Sequence, residues 1–334
     1  MDIIIFLSFI SLIVPCVLLK LNYQNDSEVK QLNKYMKLLA IGGAFYTIST
    51  VLISRRKAPA AKTVKPYFKG RAPYIFAHRG GLQLRPEHTM LAFKHAQTLD
   101  VDGFEIDIRL TRDNEVVVLH DAMVDRVSNG SGPVYDHTLA ELQMLDFGYR
   151  FTDINGEHPF RAHPDAKIVT LSDLIRTFPD IRINIDIKDG PDTAAGKRII
   201  DALYAVIDDA QAFNQVLITS FYDEQIRRFR NRSDKEIAYG AGEKEVARTF
   251  LLYSTNYKNM AYVQADTFQI PAHFYGISLA QPRFIQFLQS QNVVPGYWVI
   301  NSIDQMKQLL DAGAHTIVTD RPDIAMRLKR NSSN

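Results

Sequence analysis

Two acidic side chains have a spacing that could hold a metal ion. Glu105 and Asp107 lie two positions apart in the stretch 103–107, GFEID. Alternate side chains of a β-strand point to the same side, so both carboxylates are expected to enter one space. Such carboxylates repel each other unless a cation lies between them or one of them is protonated. The pattern predicts a site for one hard divalent cation, Mg²⁺ or Ca²⁺; the alternative is two solvated carboxylates paired with Arg109 or Arg79.

Two histidines could supply acid and base chemistry beside these carboxylates. His78 and His120 each end a short apolar stretch, and a charged residue follows each of them. Imidazole titrates nearest to neutral pH, so such a pair can take one proton and donate another during cleavage of a phosphodiester. A single histidine is more often structural, but two in this setting favour catalysis. The other histidines lack this setting and are assigned no role: His88, His95, His137, His158, His163, His273 and His315.

Positive charge is expected close to the same place. Arg79 follows His78 directly, and Lys188 lies two positions after Asp186, which could supply a third oxygen ligand. A guanidinium and an ammonium beside a metal would bind a phosphate and stabilise the charge that develops on it, with ordinary salt bridges as the alternative. Trp298, the only tryptophan, is interpreted as a wall of the substrate pocket rather than as core packing.

Short apolar strands and amphipathic helices alternate from Pro73 onward, which indicates parallel β/α units. Eight such units predict an α/β fold, a closed (β/α)₈ TIM barrel whose strands present the candidate residues at their carboxyl ends. A doubly wound sheet is the alternative, but HRGG at 78–81 is not a dinucleotide-binding turn. The predicted strands lie at 74–78, 103–107, 116–120, 182–187, 216–220, 236–240, 293–299 and 316–320.

The sequence also predicts one long connection and several helices around the barrel. Residues 121–168 are rich in glycine and proline and are predicted to form a small insertion after the third strand. The clearest helices are predicted at 88–99, 171–178, 194–207 and 302–313.

The first 57 residues differ in character from the rest. Residues 3–19 and 38–53 are apolar runs separated by a lysine-rich stretch, which predicts a membrane-anchoring hairpin of two helices. The alternatives are a cleaved signal peptide followed by a second anchor, and apolar helices that pack on the barrel. Residues 58–72 are predicted as a tether and residues 73–330 as the barrel. Positive charges on the two sides of the second run are nearly balanced, and the catalytic domain is expected on the cytoplasmic side.

Overall composition excludes several classes of function. The 39 basic and 37 acidic residues give a formal net charge of +2, so no nucleic-acid partner is expected. Cys16 is the single cysteine, which excludes an internal disulfide and a cysteine metal cluster. Any metal must therefore be held by oxygen or imidazole.

The candidate residues lie within an ordered series of motifs that resembles the glycerophosphodiester phosphodiesterase family over roughly residues 73–328. One such motif alone would carry little information, but the whole series in this order is specific. The motifs are HRGG at 78–81, PEHT at 86–89, FEIDIRLTRDNEVVVLHD at 104–121, TLAEL at 138–142, NIDIK at 184–188, YWVIN at 297–301 and GAHTIVTDRP at 313–322.

The resemblance implies a TIM barrel that holds a divalent cation on three carboxylates, uses two histidines as general acid and base, and binds phosphate through two cations. These are, in order, Glu105, Asp107 and Asp186; His78 and His120; and Arg79 and Lys188. The expected products are an alcohol and glycerol 3-phosphate, with water or a substrate hydroxyl as the first nucleophile. Two departures from the family pattern are Asp186, where glutamate is common, and His88, where PENT would place asparagine.

Three other functions remain open from the sequence. A related branch of the family acts on lysophospholipids, so lysophospholipase D activity is the nearest alternative. A catalytically silent, membrane-tethered protein that binds phosphorylated headgroups is a second. A metal-dependent amide hydrolase is the third. Several histidine ligands are expected in such an enzyme, whereas the candidate ligands here are mostly oxygens.

Overall fold

The structure is a computed structural model that describes residues 26–57 and 59–331. The chain divides into two compact units, one comprising Met1–Pro59 with Leu251–Tyr262 and the other comprising Ala60–Phe250 with Val263–Asn334. In the described residues the strands are β1 (Tyr74–His78), β2 (Gly103–Leu110), β3 (Val116–Val118), β4 (Val169–Thr170), β5 (Arg182–Ile187), β6 (Val216–Thr219), β7 (Ala238–Tyr239), β8 (Thr267–Ile270), β9 (His273–Phe274), β10 (Ile277–Ser278), β11 (Val294–Tyr297) and β12 (Thr316–Thr319).

The second unit contains a closed barrel of parallel strands, as predicted. Neighbouring strands follow the order β7, β6, β5, β2, β1, β12, β11, β8. A parallel bridge between Gly240 and Thr267 joins the two ends of this series, and the amide of Ala241 donates to the carbonyl of Thr267 at 2.9 Å. Closure leaves none of the eight strands with an unpaired edge.

One predicted barrel strand is wrong and one was not predicted. The stretch 116–120 forms β3, which pairs antiparallel with β2 and lies outside the eight-stranded path. Only residues 111–115 separate the two strands, whereas a parallel neighbour needs a crossover of about a dozen or more residues. The missing barrel strand is β8, which is only four residues long and carries a polar Gln269.

The insertion therefore begins after the second barrel strand and includes β3, β4 and the short helices between them. Connecting helices cover the barrel, and all four predicted ones are confirmed. In the described residues the α-helices are α1 (Asp26–Ser54), α2 (Met90–Thr98), α3 (Leu139–Gln143), α4 (Leu171–Thr177), α5 (Ala194–Asp209), α6 (Asp223–Arg232), α7 (Glu243–Ser254), α8 (Pro282–Ser290), α9 (Ile303–Asp311) and α10 (Pro322–Asn331).

Threonine side chains fix where several of these helices begin. The hydroxyls of Thr89, Thr170 and Thr193 accept hydrogen bonds from backbone amides in the first turns of α2, α4 and α5. Thr138 and Glu141 form a complete capping box at the start of α3. Each cap satisfies amide groups that have no partner within the helix.

One cluster of apolar side chains fills part of the barrel interior. Phe76, Leu217 and Val318, from three different strands, belong to one buried cluster that also includes Tyr67 and Phe68 of the 3₁₀-helix Pro66–Phe68. Those two aromatics lie in the segment that was predicted as a tether and are 1% and 5% exposed. Side chains alternate along a strand, so inward positions recur every second residue toward the carboxyl ends.

The next inward positions toward the carboxyl ends of these strands are occupied by residues of the candidate site. His78 is two positions beyond Phe76, and Asp320 is two positions beyond Val318. Gly103 lies opposite Phe76 in the β1–β2 register, and a Cβ on Gly103 would come within 2.6 Å of the Phe76 ring. The glycine leaves room for an aromatic ring in the barrel interior, two positions below Glu105.

The first unit contains the long helix α1. The predicted helix 38–53 is confirmed, but it begins earlier than predicted, because Gly and Pro do not occur from Asp26 to Ile41 and the lysine-rich stretch continues the helix. The segment Lys34–Ser54 is 21 residues long with a mean hydropathy of 1.6, and none of it is buried. Its length and composition suit a membrane anchor or a signal sequence. The other run of the predicted hairpin, 3–19, lies outside the described residues, so the structure describes one apolar helix here.

The tight loop before α5 gives a test of the packing. A Cβ on Gly196 would come within 1.8 Å of the backbone oxygen of Gly190, whereas a Cβ on Gly190 would meet only the Tyr222 ring, at 3.3 Å. Gly196→Ala is expected to lower the free energy of unfolding by about 3 kcal/mol or more, and Gly190→Ala by less than about 1 kcal/mol. Urea unfolding followed by tryptophan fluorescence measures both, and equal losses would contradict this packing.

Candidate active site

The barrel brings the three predicted carboxylates together. β2 lies between β1 and β5, so Glu105 pairs in register with His78 on one side, and Asp107 pairs with Asp186 on the other. One carboxylate oxygen from each of Glu105, Asp107 and Asp186 lies within 4.8 Å of the others. The prediction that these acids converge is therefore confirmed for geometry, with Asp186 on the third barrel strand instead of the fourth.

Asp107 is the most fully engaged of the three acids. Its Oδ1 lies 2.9 Å from the Nζ of Lys188, and its Oδ2 lies 2.9 Å from the Nε2 of His88. The Nε of Arg79 is 3.2 Å from the same Oδ2, an ion pair without hydrogen-bond geometry. Burial would raise the pKa of Asp107, but the hydrogen bond from His88 and the nearby positive charges hold it well below its usual range.

The other two acids retain unused oxygens. The Oε2 of Glu105 and the Oδ1 of Asp186 are buried and have no hydrogen-bond partner. Burial, followed by the neighbouring carboxylate of Asp107, raises the pKa of Glu105. Burial also raises the pKa of Asp186, although Lys188 lies only 2.6 Å from its Oδ2 and opposes the shift. Unpartnered buried oxygens of hard carboxylate ligands, in a group of three, fit a divalent cation such as Mg²⁺ or Ca²⁺.

His78 is held by an acid on the last barrel strand. Its Nδ1 lies 2.5 Å from the Oδ1 of Asp320, and its Nε2 lies 3.7 Å from the Oε2 of Glu105. The side-chain amide of Asn301 donates to the other oxygen of Asp320 at 2.7 Å. Burial lowers the pKa of His78, but the Asp320 hydrogen bond and the Glu105 charge outweigh it and the pKa is raised. The arrangement fixes the ring and leaves Nε2 directed toward the acidic cluster.

His120 reaches the site from the insertion, because β3 is not part of the barrel. Its Nδ1 lies 2.6 Å from the Oδ1 of Asp121, and its backbone oxygen accepts two hydrogen bonds from Arg109. Both histidines therefore pair Nδ1 with an aspartate and leave Nε2 for other chemistry. The prediction that a barrel strand delivers His120 is wrong, since this histidine ends an antiparallel strand.

A chain of ion pairs links the two sides of the site. Arg126 contacts Asp121 through its Nε, and its two terminal nitrogens bond both oxygens of Glu87 at 2.8 Å. Glu87 in turn accepts from Arg79 at 3.0 Å. Burial would raise the pKa of Glu87, but the two arginines and His88 lower it to about 2. The chain thus runs from His120 in the insertion to Arg79 beside Asp107.

Aromatic side chains extend from the positively charged side of the cluster. The Nζ of Lys188 lies 5.4 Å from the ring centre of Phe221, whose ring meets Trp298 edge-on at 6.0 Å. The indole nitrogen of Trp298 donates to the carbonyl of Gln269 at 2.8 Å. Trp298 also packs on the buried cluster beneath it, so it contacts both the core and the space above Lys188.

Sequence reasoning missed several residues of this arrangement. His88 was assigned no role, but it is 2% exposed and bonded to Asp107. Asp320 carried a usable signal, because it is the last residue of the predicted strand 316–320, and Glu105 and Asp186 likewise lie near the ends of theirs. Arg126 carried none, since it lies in the irregular part of the insertion, and its partners are 5 and 39 positions away.

Comparison with known proteins agrees with this geometry. The pattern of the glycerophosphoryl diester phosphodiesterase family matches residues 78–324. Glycerophosphodiester phosphodiesterases of Caldanaerobacter subterraneus and Bacillus subtilis are 29% and 28% identical to the chain. Those alignments cover 77% and 76% of this chain, and 97% and 85% of the relatives.

Solved structures share the fold. The glycerophosphoryl diester phosphodiesterase domain of a Mycobacterium tuberculosis protein aligns with a TM-score of 0.65 at 18% identity, over 78% of this chain and all of that domain. A phosphodiesterase of Oleispira antarctica, solved with its product sn-glycerol-3-phosphate, aligns with a TM-score of 0.61 at 20% identity, over 79% of this chain and 98% of the other. The family pattern spans most of this chain, including all three acids and both histidines. The chain therefore belongs to the glycerophosphoryl diester phosphodiesterase family and is a phosphoric diester hydrolase.

Proposed function

We propose that the chain hydrolyses glycerophosphodiesters to an alcohol and glycerol 3-phosphate, using His78 and His120 as general acid and base and a divalent cation held by Glu105, Asp107 and Asp186. The observation that supports this most directly is the group of three carboxylates with unpartnered buried oxygens, flanked by two cationic side chains. The named products of relatives give the substrate class.

The protein's own groups account for the proton transfers. One imidazole takes the proton from the attacking oxygen as that oxygen bonds to phosphorus. The other donates a proton to the departing alkoxide as its bond to phosphorus breaks, which releases the alcohol. In both rings Nδ1 is paired with an aspartate, so Nε2 is the atom that exchanges the proton. The aspartates orient the rings and stabilise their protonated forms, as in other aspartate–histidine pairs.

Charge on the phosphate is balanced by groups that the barrel positions in advance. Lys188 and Arg79 contact different oxygens of Asp107, and both would bind the phosphate beside it. Burial would lower the pKa of Lys188, but Asp186 and Asp107 raise it well above its usual range, so its charge is kept. When bound, the divalent cation would act as a Lewis acid on a phosphoryl oxygen and neutralise part of the developing charge.

Two substrate types fit this chemistry. A glycerophosphodiester with a small polar alcohol needs the phosphate clamp alone. A lysophospholipid would also place an acyl chain outside the clamp, and the exposed ring of Phe221, 51% accessible beside Lys188, offers an apolar contact for it. Lysophospholipase D activity is therefore the second candidate.

Dependence on a metal gives the first test of this function. Purified full-length chain is expected to release choline and glycerol 3-phosphate from glycerophosphocholine, to lose turnover with a chelator, and to regain it with Mg²⁺ or Ca²⁺. Asp186→Asn removes one ligand and is expected to weaken metal affinity on the order of 100-fold. The metal should raise the unfolding temperature of the wild type and not of this variant. Parallel assays with lysophosphatidylcholine rank the two substrates, and chelator-resistant turnover would contradict the metal site.

The two histidines give the second test. His78→Gln and His120→Gln are each expected to lower kcat by about 10²- to 10⁴-fold, because each removes a proton donor or acceptor without removing charge from the phosphate clamp. His158→Gln is the matched control, since His158 is exposed and its ring bonds only to the backbone of Phe151 among the described contacts. Steady-state kinetics on glycerophosphocholine measures all three variants. Near wild-type turnover of either site variant would remove that histidine from the mechanism.

The insertion gives the third test. Arg126→Ala leaves Glu87 and Asp121 without their shared partner, so kcat is expected to fall about 10- to 100-fold with a smaller change in KM. Arg126→Lys should recover only part of this loss, because an ammonium cannot bridge both acids with the same geometry. Arg112→Ala breaks an exposed ion pair to Glu141 in the same insertion and should leave kcat within about twofold. Equal effects of Arg112→Ala and Arg126→Ala would contradict a positioning role for Arg126.

A further inference from the structure

Helix α1 exposes its apolar side chains and covers several polar ones, the reverse of a surface helix in a water-soluble domain. Large apolar side chains cover most of its circumference and are exposed, among them Ile41 at 66% and Phe45 at 73%. The partly covered positions follow one face and include the polar residues Tyr46, Ser49 and Thr50. Apolar residues outside and polar residues turned toward protein is the arrangement expected of a helix in lipid.

The polar side chains of α1 do not need water. The hydroxyls of Thr47, Thr50 and Ser54 each donate to a backbone oxygen three or four residues earlier in the helix, at 2.8 to 2.9 Å. The hydroxyl of Ser49 does the same toward Tyr46, at 2.9 Å. In a bilayer a hydroxyl without a hydrogen-bond partner is destabilising, and these four find their partners within the helix.

The covered face of α1 contacts the segment Leu251–Tyr262, which belongs to the same unit although it lies some 200 positions later in the chain. The Tyr46 hydroxyl donates to the backbone oxygen of Thr255 at 3.0 Å. The Ser49 and Tyr257 hydroxyls are 2.6 Å apart. Over eight residues from Tyr46 to Ser54 a helix rises about 12 Å, so the segment lies along roughly that length of α1.

The same segment also caps the end of α1. The side-chain amide of Asn259 donates to the backbone oxygens of Ile53, Ser54 and Arg56, at 3.4, 3.1 and 3.1 Å. Carbonyl groups in the last turn of a helix have no partner within it, and here a distant side chain supplies one. The capped end is followed by Arg55, Arg56 and Lys57.

The backbone of the segment is largely satisfied by itself. The donor and acceptor pairs are Thr255 to Leu251, Asn256 to Tyr253, Tyr257 to Leu252, Met260 to Tyr257 and Ala261 to Lys258, at 2.8 to 3.2 Å. Short helical turns of this kind tolerate an apolar environment, whereas an irregular loop with open amides would not. Even so, the segment exposes Leu251 at 62%, Met260 at 46% and Tyr262 at 61%.

The charges near the carboxyl end of α1 and in the segment beside it have a single sign. Residues 34–57 and 251–262 contain no acidic residue, whereas Arg55, Arg56, Lys57 and Lys258 are all exposed. Tyrosine and lysine at the end of an apolar helix are typical of the headgroup region of a membrane. A cationic surface without carboxylates also complements anionic lipid headgroups.

We propose that the segment Leu251–Tyr262 is a second membrane-contacting element, which enters the interface of an anionic bilayer beside the carboxyl end of α1. With Arg55–Lys57 at the headgroups, the segment reaches about 10 Å below them, the depth of an interfacial insertion. Leu251, Met260 and Tyr262 contact lipid, and Lys258 contacts headgroup phosphates. This inference concerns membrane contact alone and does not depend on the proposed reaction.

Site-specific fluorescence tests this inference with the full-length chain. Single cysteines replace Leu251 or Met260 in a Cys16→Ser background, carry an environment-sensitive dye, and are compared after reconstitution into phosphatidylcholine–phosphatidylglycerol vesicles. Met144→Cys is the matched control, because Met144 is 82% exposed and lies in the other unit. Lipids with a nitroxide at a shallow acyl carbon are expected to quench the dyes at 251 and 260 by about twofold or more and to leave the dye at 144 unchanged.

Two outcomes would overturn the proposal. Dyes at 251 and 260 that are quenched no more than the dye at 144 would place the segment in water. Dyes at 251 and 260 that become shielded in detergent as protein concentration rises, with no quenching by nitroxide lipids, would assign the surface to a second copy of the chain. Glycerophosphocholine turnover of each labelled variant is measured separately, so loss of the reaction and loss of membrane contact are distinguished.

Discussion

Like charges repel strongly where little water screens them, and this site gathers three carboxylates within 4.8 Å in the mouth of a barrel. Lys188 and Arg79 compensate part of that repulsion through Asp107 and Asp186. Two oxygens, one each from Glu105 and Asp186, remain buried without hydrogen-bond partners, and the pKa of both carboxyl groups is raised. A divalent cation held by these three acids would supply a further positive charge. The histidines, the two cationic side chains and the ion-pair chain are all arranged around this group of acids.

Barrel closure makes this gathering possible. Residues separated by more than two hundred positions, such as His78 and Asp320, become neighbours because β1 pairs with β12. Strand alternation then turns every second position inward, which places His78 beyond Phe76 and Asp320 beyond Val318. The insertion contributes from outside the barrel, and Arg126 ties it to the acid that holds Arg79.

Much of this could be predicted from the sequence, and what could not has physical reasons. The acids and histidines were found because strand ends and residue chemistry are local signals. The strand 116–120 was misassigned because apolar content does not distinguish a barrel strand from a hairpin partner, although the short turn before it does. Strand β8 was not predicted, because it has only four residues and one of its inward positions is the polar Gln269, which leaves no clear run of apolar residues. His88 was passed over since its bond to Asp107 depends on a loop whose path, with a φ of 58° at His88, only the folded chain defines.

We propose that Glu105, Asp107 and Asp186 bind one cation together. A crystal structure of the chain grown with Mn²⁺ and measured at an anomalous wavelength tests this most directly, because the ion is located independently of the atoms around it. We expect one strong anomalous peak in the barrel mouth, with an oxygen from each acid at about 2.0–2.4 Å and the unpartnered oxygens of Glu105 and Asp186 among them. A peak elsewhere, or an empty cluster in which Lys188 still bridges Asp107 and Asp186, would contradict it.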